Sequence, residues 1–154
     1  MTPALAVIAS IVVTVLVLLG VRQYVRSLRA RGRAAIDQRF SPSDVLRVET
    51  SALSFGEESR GATQARGTGA LALTTNELFF QLYVPWRELR IPLSSIKSVS
   101  LVRSHLGKTQ FTDLLHVSYV VGGGEDAVAW RVPEPAAWAA EIDQRRAPPQ
   151  PNQP

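Results

Sequence analysis

Two histidines, His105 and His116, are the first residues to test for chemistry in this 154-residue chain, which has no cysteine. A general base needs a nucleophile or a polarising partner within hydrogen-bond reach, and Asp113, Ser104 and Ser118 are the side chains close enough in sequence to supply one. Their spacing matches neither a nucleophile elbow nor a metal-binding helix. His116 lies between Leu115 and Val117, so on a strand it faces away from both and reads as a surface residue. With no thiolate and no neighbouring carboxylate pair, the two histidines also make a poor zinc set. No catalytic residue, metal ligand or cofactor is expected, and the chain reads as non-enzymatic.

A second candidate is the loop from Gly56 to Thr68. It places Arg60 and Arg66 among glycines that could let backbone amides approach an anion. Glu57 and Glu58 stand beside them and should cancel part of that positive potential. Pro85-Trp86-Arg87 forms a third candidate, a loop tip where Trp86 either docks on a surface or folds back over a sheet. Gly122-Gly123-Gly124-Glu125-Asp126 reads as a hairpin loop; as a phosphate cradle it lacks the following Lys-Ser or Lys-Thr. Arg103 and Lys108 flank a polar loop and read as solvated.

The elements that must position these residues begin with an anchor. Residues 4–21 carry no charge and would span about 27 Å as a helix, just enough to cross a bilayer core. Ser10 and Thr14 can bond back to carbonyls of the preceding turn. A cleaved signal peptide would put basic residues before the apolar run, whereas here they follow it, which favours an uncleaved anchor. Arg22, Arg26, Arg29, Arg31, Arg33 and Arg39 against Asp37 give that flank a balance of +5. Short-range basic residues of this kind place the flank and the following domain in the cytoplasm, with the N-terminus outside. Arg22, Arg26, Arg29 and Arg33 share one helical face, and Tyr24 would sit at headgroup depth, so these five form the expected membrane interface.

From Phe40 onward the formal charge is −1, which leaves the domain without an electrostatic footprint for nucleic acid. Membrane lipids and another protein are the expected partners. Fifteen arginines against two lysines suggest a GC-rich bacterial genome, and hence the inner membrane as the location.

Beyond Ser43 the periodicity shifts from 3.6 towards 2, and strands are expected near residues 45–55, 69–74, 78–84, 88–93, 97–104, 114–121 and 127–132. Leu115, Val117, Tyr119 and Val121 share one face of their strand, and Val128, Trp130 and Val132 one face of theirs, so both faces should be core. Pro135 then opens a helix with Trp138 and Ile142 one turn apart, suited to plugging an open end of the sheet. The domains are therefore residues 1–21, a transmembrane anchor; 22–42, a basic juxtamembrane linker or helix; 43–146, a β domain; and 147–154, a disordered proline-rich tail.

Seven strands and a C-terminal helix follow the order of the pleckstrin-homology and GRAM-like superfold. The runs Gly67-Thr68-Gly69-Ala70-Leu71-Ala72-Leu73-Thr74, Glu77-Leu78-Phe79-Phe80 and Ile91-Pro92-Leu93-Ser94-Ser95-Ile96 resemble bacterial members of it. The resemblance covers residues near 45–144 and implies a mainly β fold, a partly open seven-stranded antiparallel barrel capped by a helix. In relatives that bind phosphoinositides the loop between the first two strands holds the basic residues, a role that would fall to Arg60 and Arg66. The expected function is a membrane-tethered binding or scaffolding module, with a sensor of anionic lipid headgroups as one alternative and an enzyme of unrecognised type as another.

Overall fold

The computed structural model describes residues 3–146 apart from Ala62 and Ala65, so the tail expected to be disordered, residues 147–154, lies outside the described residues. Its first element, α1 (Pro3–Arg39), is a single 37-residue helix of about 56 Å at 1.5 Å per residue. The apolar run is solvent-facing all round, long enough and apolar enough to cross a membrane. Thr14 donates to the Ser10 carbonyl at 2.8 Å, so that hydroxyl is satisfied within the helix. No break separates residues 22–39 from the apolar run, and the segment expected as a linker or helix is helical up to Arg39.

Seven antiparallel strands follow: β1 (Val45–Glu57), β2 (Gly67–Thr74), β3 (Glu77–Leu82), β4 (Arg87–Pro92), β5 (Ile96–His105), β6 (Lys108–Val121) and β7 (Gly124–Arg131). They form one sheet in the order β4-β3-β2-β1-β7-β6-β5. The two edge strands are consecutive in the chain, joined by the 3-10 turn Leu93–Ser95. Flat, a sheet of this width would hold its edges about 29 Å apart at 4.8 Å per strand step, far beyond three residues' reach. The sheet must therefore curl until that corner closes, which makes it a partly open barrel. Register shifts in β1 between Glu49 and Ala52 and between Ser54 and Glu57 bend the strand, whose two parts pair mainly with β2 and then with β7.

The inner face carries the main core, where Leu71, Leu73, Leu78, Phe80, Leu115, Val117 and Trp130 meet. The last helix, α2 (Pro135–Arg145), closes it with Trp138 and Ile142, both buried as expected. Arg47 holds the helix from outside: its guanidinium lies 5.1 Å from the Trp138 ring and bonds Glu134 at 3.0 Å. The expected loop at residues 122–126 is shorter than the sequence suggested. Only Gly122 and Gly123 turn the chain, both at positive φ, and Asp126 is buried within β7. Val121, expected inward, is 55% exposed because it ends its strand at that turn.

Alternation along β2 and β3 puts a second apolar set on the outer face, where Ala70, Ala72, Phe79 and Tyr83 are covered by Ile36, with Leu28 and Phe40 beside it. The second half of α1 is thus a packed part of the domain. Gly32 makes the approach possible: a Cβ there would stand 2.4 Å from Tyr83 Cε1. Tyr83 passes beneath the helix to donate to the Thr50 carbonyl at 2.8 Å, and burial pushes its phenol up to about 12.

Candidate functional site

The helix–sheet seam fixes which end of the domain faces the apolar run of α1. Along α1 towards the N-terminus, contacts move from Phe40 against Phe79, through Ile36, to Gly32 against Tyr83. Tyr83 opens the connection from β3 to β4, and its amide donates to Thr68 beside the end of the β1–β2 loop. Both loops therefore lie at the end that faces the apolar run, while Thr75, whose amide donates to Asp44, lies at the other.

These loops enclose a cavity of about 410 Å³ lined by Arg60, Arg66, Arg87, Gln64, Val84 and Pro85. Arg60 and Arg66 both line it, and Arg87 joins them. Gln81 fastens the second loop, donating from Nε2 to the carbonyls of Leu82 and Arg87 at 3.1 Å each. Glu57, at the bottom of the first loop, faces Arg87 at 3.3 Å and Arg60 at 4.0 Å. Burial raises its carboxyl above the usual range, Arg60 opposes that shift and Asp126 adds to it. Arg66 stacks on Phe55, its guanidinium carbon 4.6 Å from the ring centre.

Three of the loop's backbone amides are already taken up within the fold. The Glu57 amide donates to Gln64 Oε1 at 3.3 Å, the Ser59 amide to Asp126 at 2.9 Å and the Gly61 amide to the Glu58 carbonyl at 3.0 Å. Gly56, at φ +102°, lets the chain pass tight against the Gln64 amide. These bonds shape the loop, and its side chains line the cavity.

Trp86 stands at the loop tip with its ring partly leaning on the fold. It is 52% exposed and stacks on Tyr83 at 6.4 Å between ring centres, bordering a shallow cavity with Arg31, Ala34, Ala35 and Gln38 of α1. Of the expected membrane-interface set, Arg22, Tyr24, Arg26, Arg29 and Arg33 are all exposed. Arg33 is bonded to Asp37 at 2.9 Å; among the described residues, Arg22, Arg26 and Arg29 pair with no carboxylate.

Glu58 does not neutralise the arginines as expected. In the 3-10 turn Glu58–Arg60 it faces the two histidines instead, with Oε1 3.8 Å from His105 Nδ1 and 3.9 Å from His116 Nε2. The histidines thus have one neighbouring carboxylate rather than a pair, brought to them because the turn after β1 folds over β5 and β6. His116 is half-buried rather than on the open surface; burial and the adjacent His105 lower its pKa, with Glu58 pulling the other way. Ser59 pins the turn to β7, its hydroxyl donating to Asp126 at 2.6 Å. Burial would raise the Asp126 pKa, but the bonds from Ser59, Ala127 and Tyr119 outweigh it and hold the carboxyl below the usual range.

Lys108 is not merely solvated: its amine bonds the carbonyls of Phe55 and Gln64 and ties the β5–β6 hairpin to the loop. Arg103 pairs with Asp113 at 3.1 Å. Sequence reasoning missed Phe111, which is fully exposed on β6 at the rim of an open cavity of about 610 Å³. No protein-family model matches this chain, and no curated protein matches its sequence.

Proposed function

We propose that the chain is a non-enzymatic, single-pass membrane-tethered binding module that presents a pleckstrin-homology-like domain at the cytoplasmic face of a bacterial inner membrane. The observation that carries this reading is the seam of α1 on the outer face of β2 and β3. A flexible tether would leave the domain free to tumble, whereas a helix continuous from the bilayer to Ile36 holds it in one orientation. Packing begins at Leu28, seven residues or about 10 Å beyond Val21, so the anchor-facing loops sit close to the headgroups. The exposed side chains of Val84 and Trp86 at that end are the surface offered to a partner.

A second reading, a sensor of anionic lipid headgroups, is favoured by three arginines in the loop cavity and by the basic helix above it. Against it, Glu57 already offsets Arg60 and Arg87. A photo-crosslinking residue placed at Val84 in cells separates the two. Discrete protein adducts are expected for a binding module, and lipid adducts alone would make the sensor the better reading. Orientation is tested separately. A periplasm-active reporter fused after Pro154 should stay silent, because six arginines follow the span closely, and strong activity would reverse the topology.

A further inference from the structure

We propose that Glu58, His105 and His116 form a three-ligand site for Zn²⁺ that fastens the turn after β1 to β5 and β6. Carboxylate and ring-nitrogen donors from these three residues all lie within 4.8 Å of one another. Tetrahedral zinc with bonds near 2.0–2.1 Å sets its ligand atoms roughly 3.4 Å apart; the two ring nitrogens, within 4.8 Å of one another, must draw closer, and Glu58 must close by about half an ångström on each. Its side chain, 53% exposed at the start of a turn, is free to do so.

The hydrogen bonds behind the ligands are already those a zinc site uses. His105 Nε2 lies 3.0 Å from the Gly56 carbonyl oxygen, which can only accept, so Nε2 carries the proton. In the neutral ring Nδ1 is then a bare lone pair, aimed at Glu58 from a side chain only 2% exposed. No donor among the described residues bonds that nitrogen. His116 Nδ1 lies 3.4 Å from Ser100 Oγ, which leaves Nε2 towards the same carboxylate. Two neutral imidazoles and one carboxylate suit a borderline transition ion, whereas Mg²⁺ and Ca²⁺ seek oxygen ligands alone. Lys108, opposite His105 in the hairpin, is occupied with the carbonyls of Phe55 and Gln64. The open side of Glu58 leaves room for water as the fourth ligand. Glu58 begins the turn that ends at Arg60, so metal binding would also fix where Arg60 sits.

The test is calorimetric titration of ZnCl₂ into the full, untagged chain in detergent micelles after chelator treatment. Saturable one-to-one binding is expected, with Mg²⁺ giving none at the same concentrations. Glu58→Gln should weaken Zn²⁺ at least tenfold, and His116→Asn should remove measurable binding. Both side chains reach solvent, so both variants should unfold at the wild-type temperature without metal, and Zn²⁺ should raise that temperature most in the wild type, less in Glu58→Gln and not at all in His116→Asn. Absence of one-to-one binding by the wild type, or unchanged affinity in both variants, would show the cluster to be an ion pair and overturn the proposal.

Discussion

Trp138→Ala is expected to remove about 3–5 kcal/mol of stability, a large share of the roughly 5–15 kcal/mol available to a domain of this size. Trp138 is 1% exposed and sits with Ile142 in the main core, where α2 covers the mouth of the curled sheet. Truncation would leave a cavity under the helix and take away the ring on which Arg47 rests. A helix of 11 residues has little stability of its own in water, so losing its largest buried contact should loosen the whole element. Trp86→Ala is the contrast. Half-exposed and stacked only against Tyr83, it should cost about 1 kcal/mol. Urea unfolding of residues 25–146, followed by far-ultraviolet circular dichroism, compares the two. If Trp86→Ala proves the more damaging, the capping role of α2 is wrong.

The same contrast shows what the sequence disclosed. Strand positions, the barrel's C-terminal cap and the inward faces of β6 and β7 follow from local periodicity, because each is decided by residues close together in the chain. The long apolar helix at the N-terminus is legible for the same reason. The seam was written in the sequence but demands a longer inference. Ala70-Leu71-Ala72-Leu73 and Leu78-Phe79-Phe80 are apolar on both faces, a sign that something covers the outer one, yet nothing local says that the cover is the helix carrying Ile36. The Glu58–His105–His116 cluster was less legible still, since 47 residues separate Glu58 from His105. Only the return of β5 and β6 beneath the turn after β1 brings them together. Where adjacent charges were read as neighbours in space, the result was mixed: Glu57 does face the arginines, and Glu58, one residue on, points to the histidines.

Ile36→Asp should undock the helix without unfolding the barrel. Ile36 is fully buried against Ala70, Ala72, Phe79 and Tyr83, where the nearest polar group of that set is the Tyr83 phenol, already donating to Thr50. A carboxylate placed there is desolvated, and the cation over that face, Arg39 above the Phe79 ring, is already held by Glu88; the cost is about 3–5 kcal/mol, equivalent to a hundredfold or more in the docking equilibrium. The main core lies on the opposite face of β2 and β3 and includes no residue of α1, so the sheet and α2 should persist. Amide exchange over residues 28–39 should accelerate by about a hundredfold relative to the wild type, and trypsin should gain access at Arg33 and Arg39. Protection in β6 and β7 should not change. The same logic applies to a fragment cut at residue 43: it keeps every strand and α2 but exposes Phe79 and Tyr83, and should self-associate where residues 25–146 stay monomeric. If Ile36→Asp leaves exchange in the helix unaltered, or melts β6 and β7 along with it, the seam is not a separable device. The orientation it is held to impose on the domain would then need another cause.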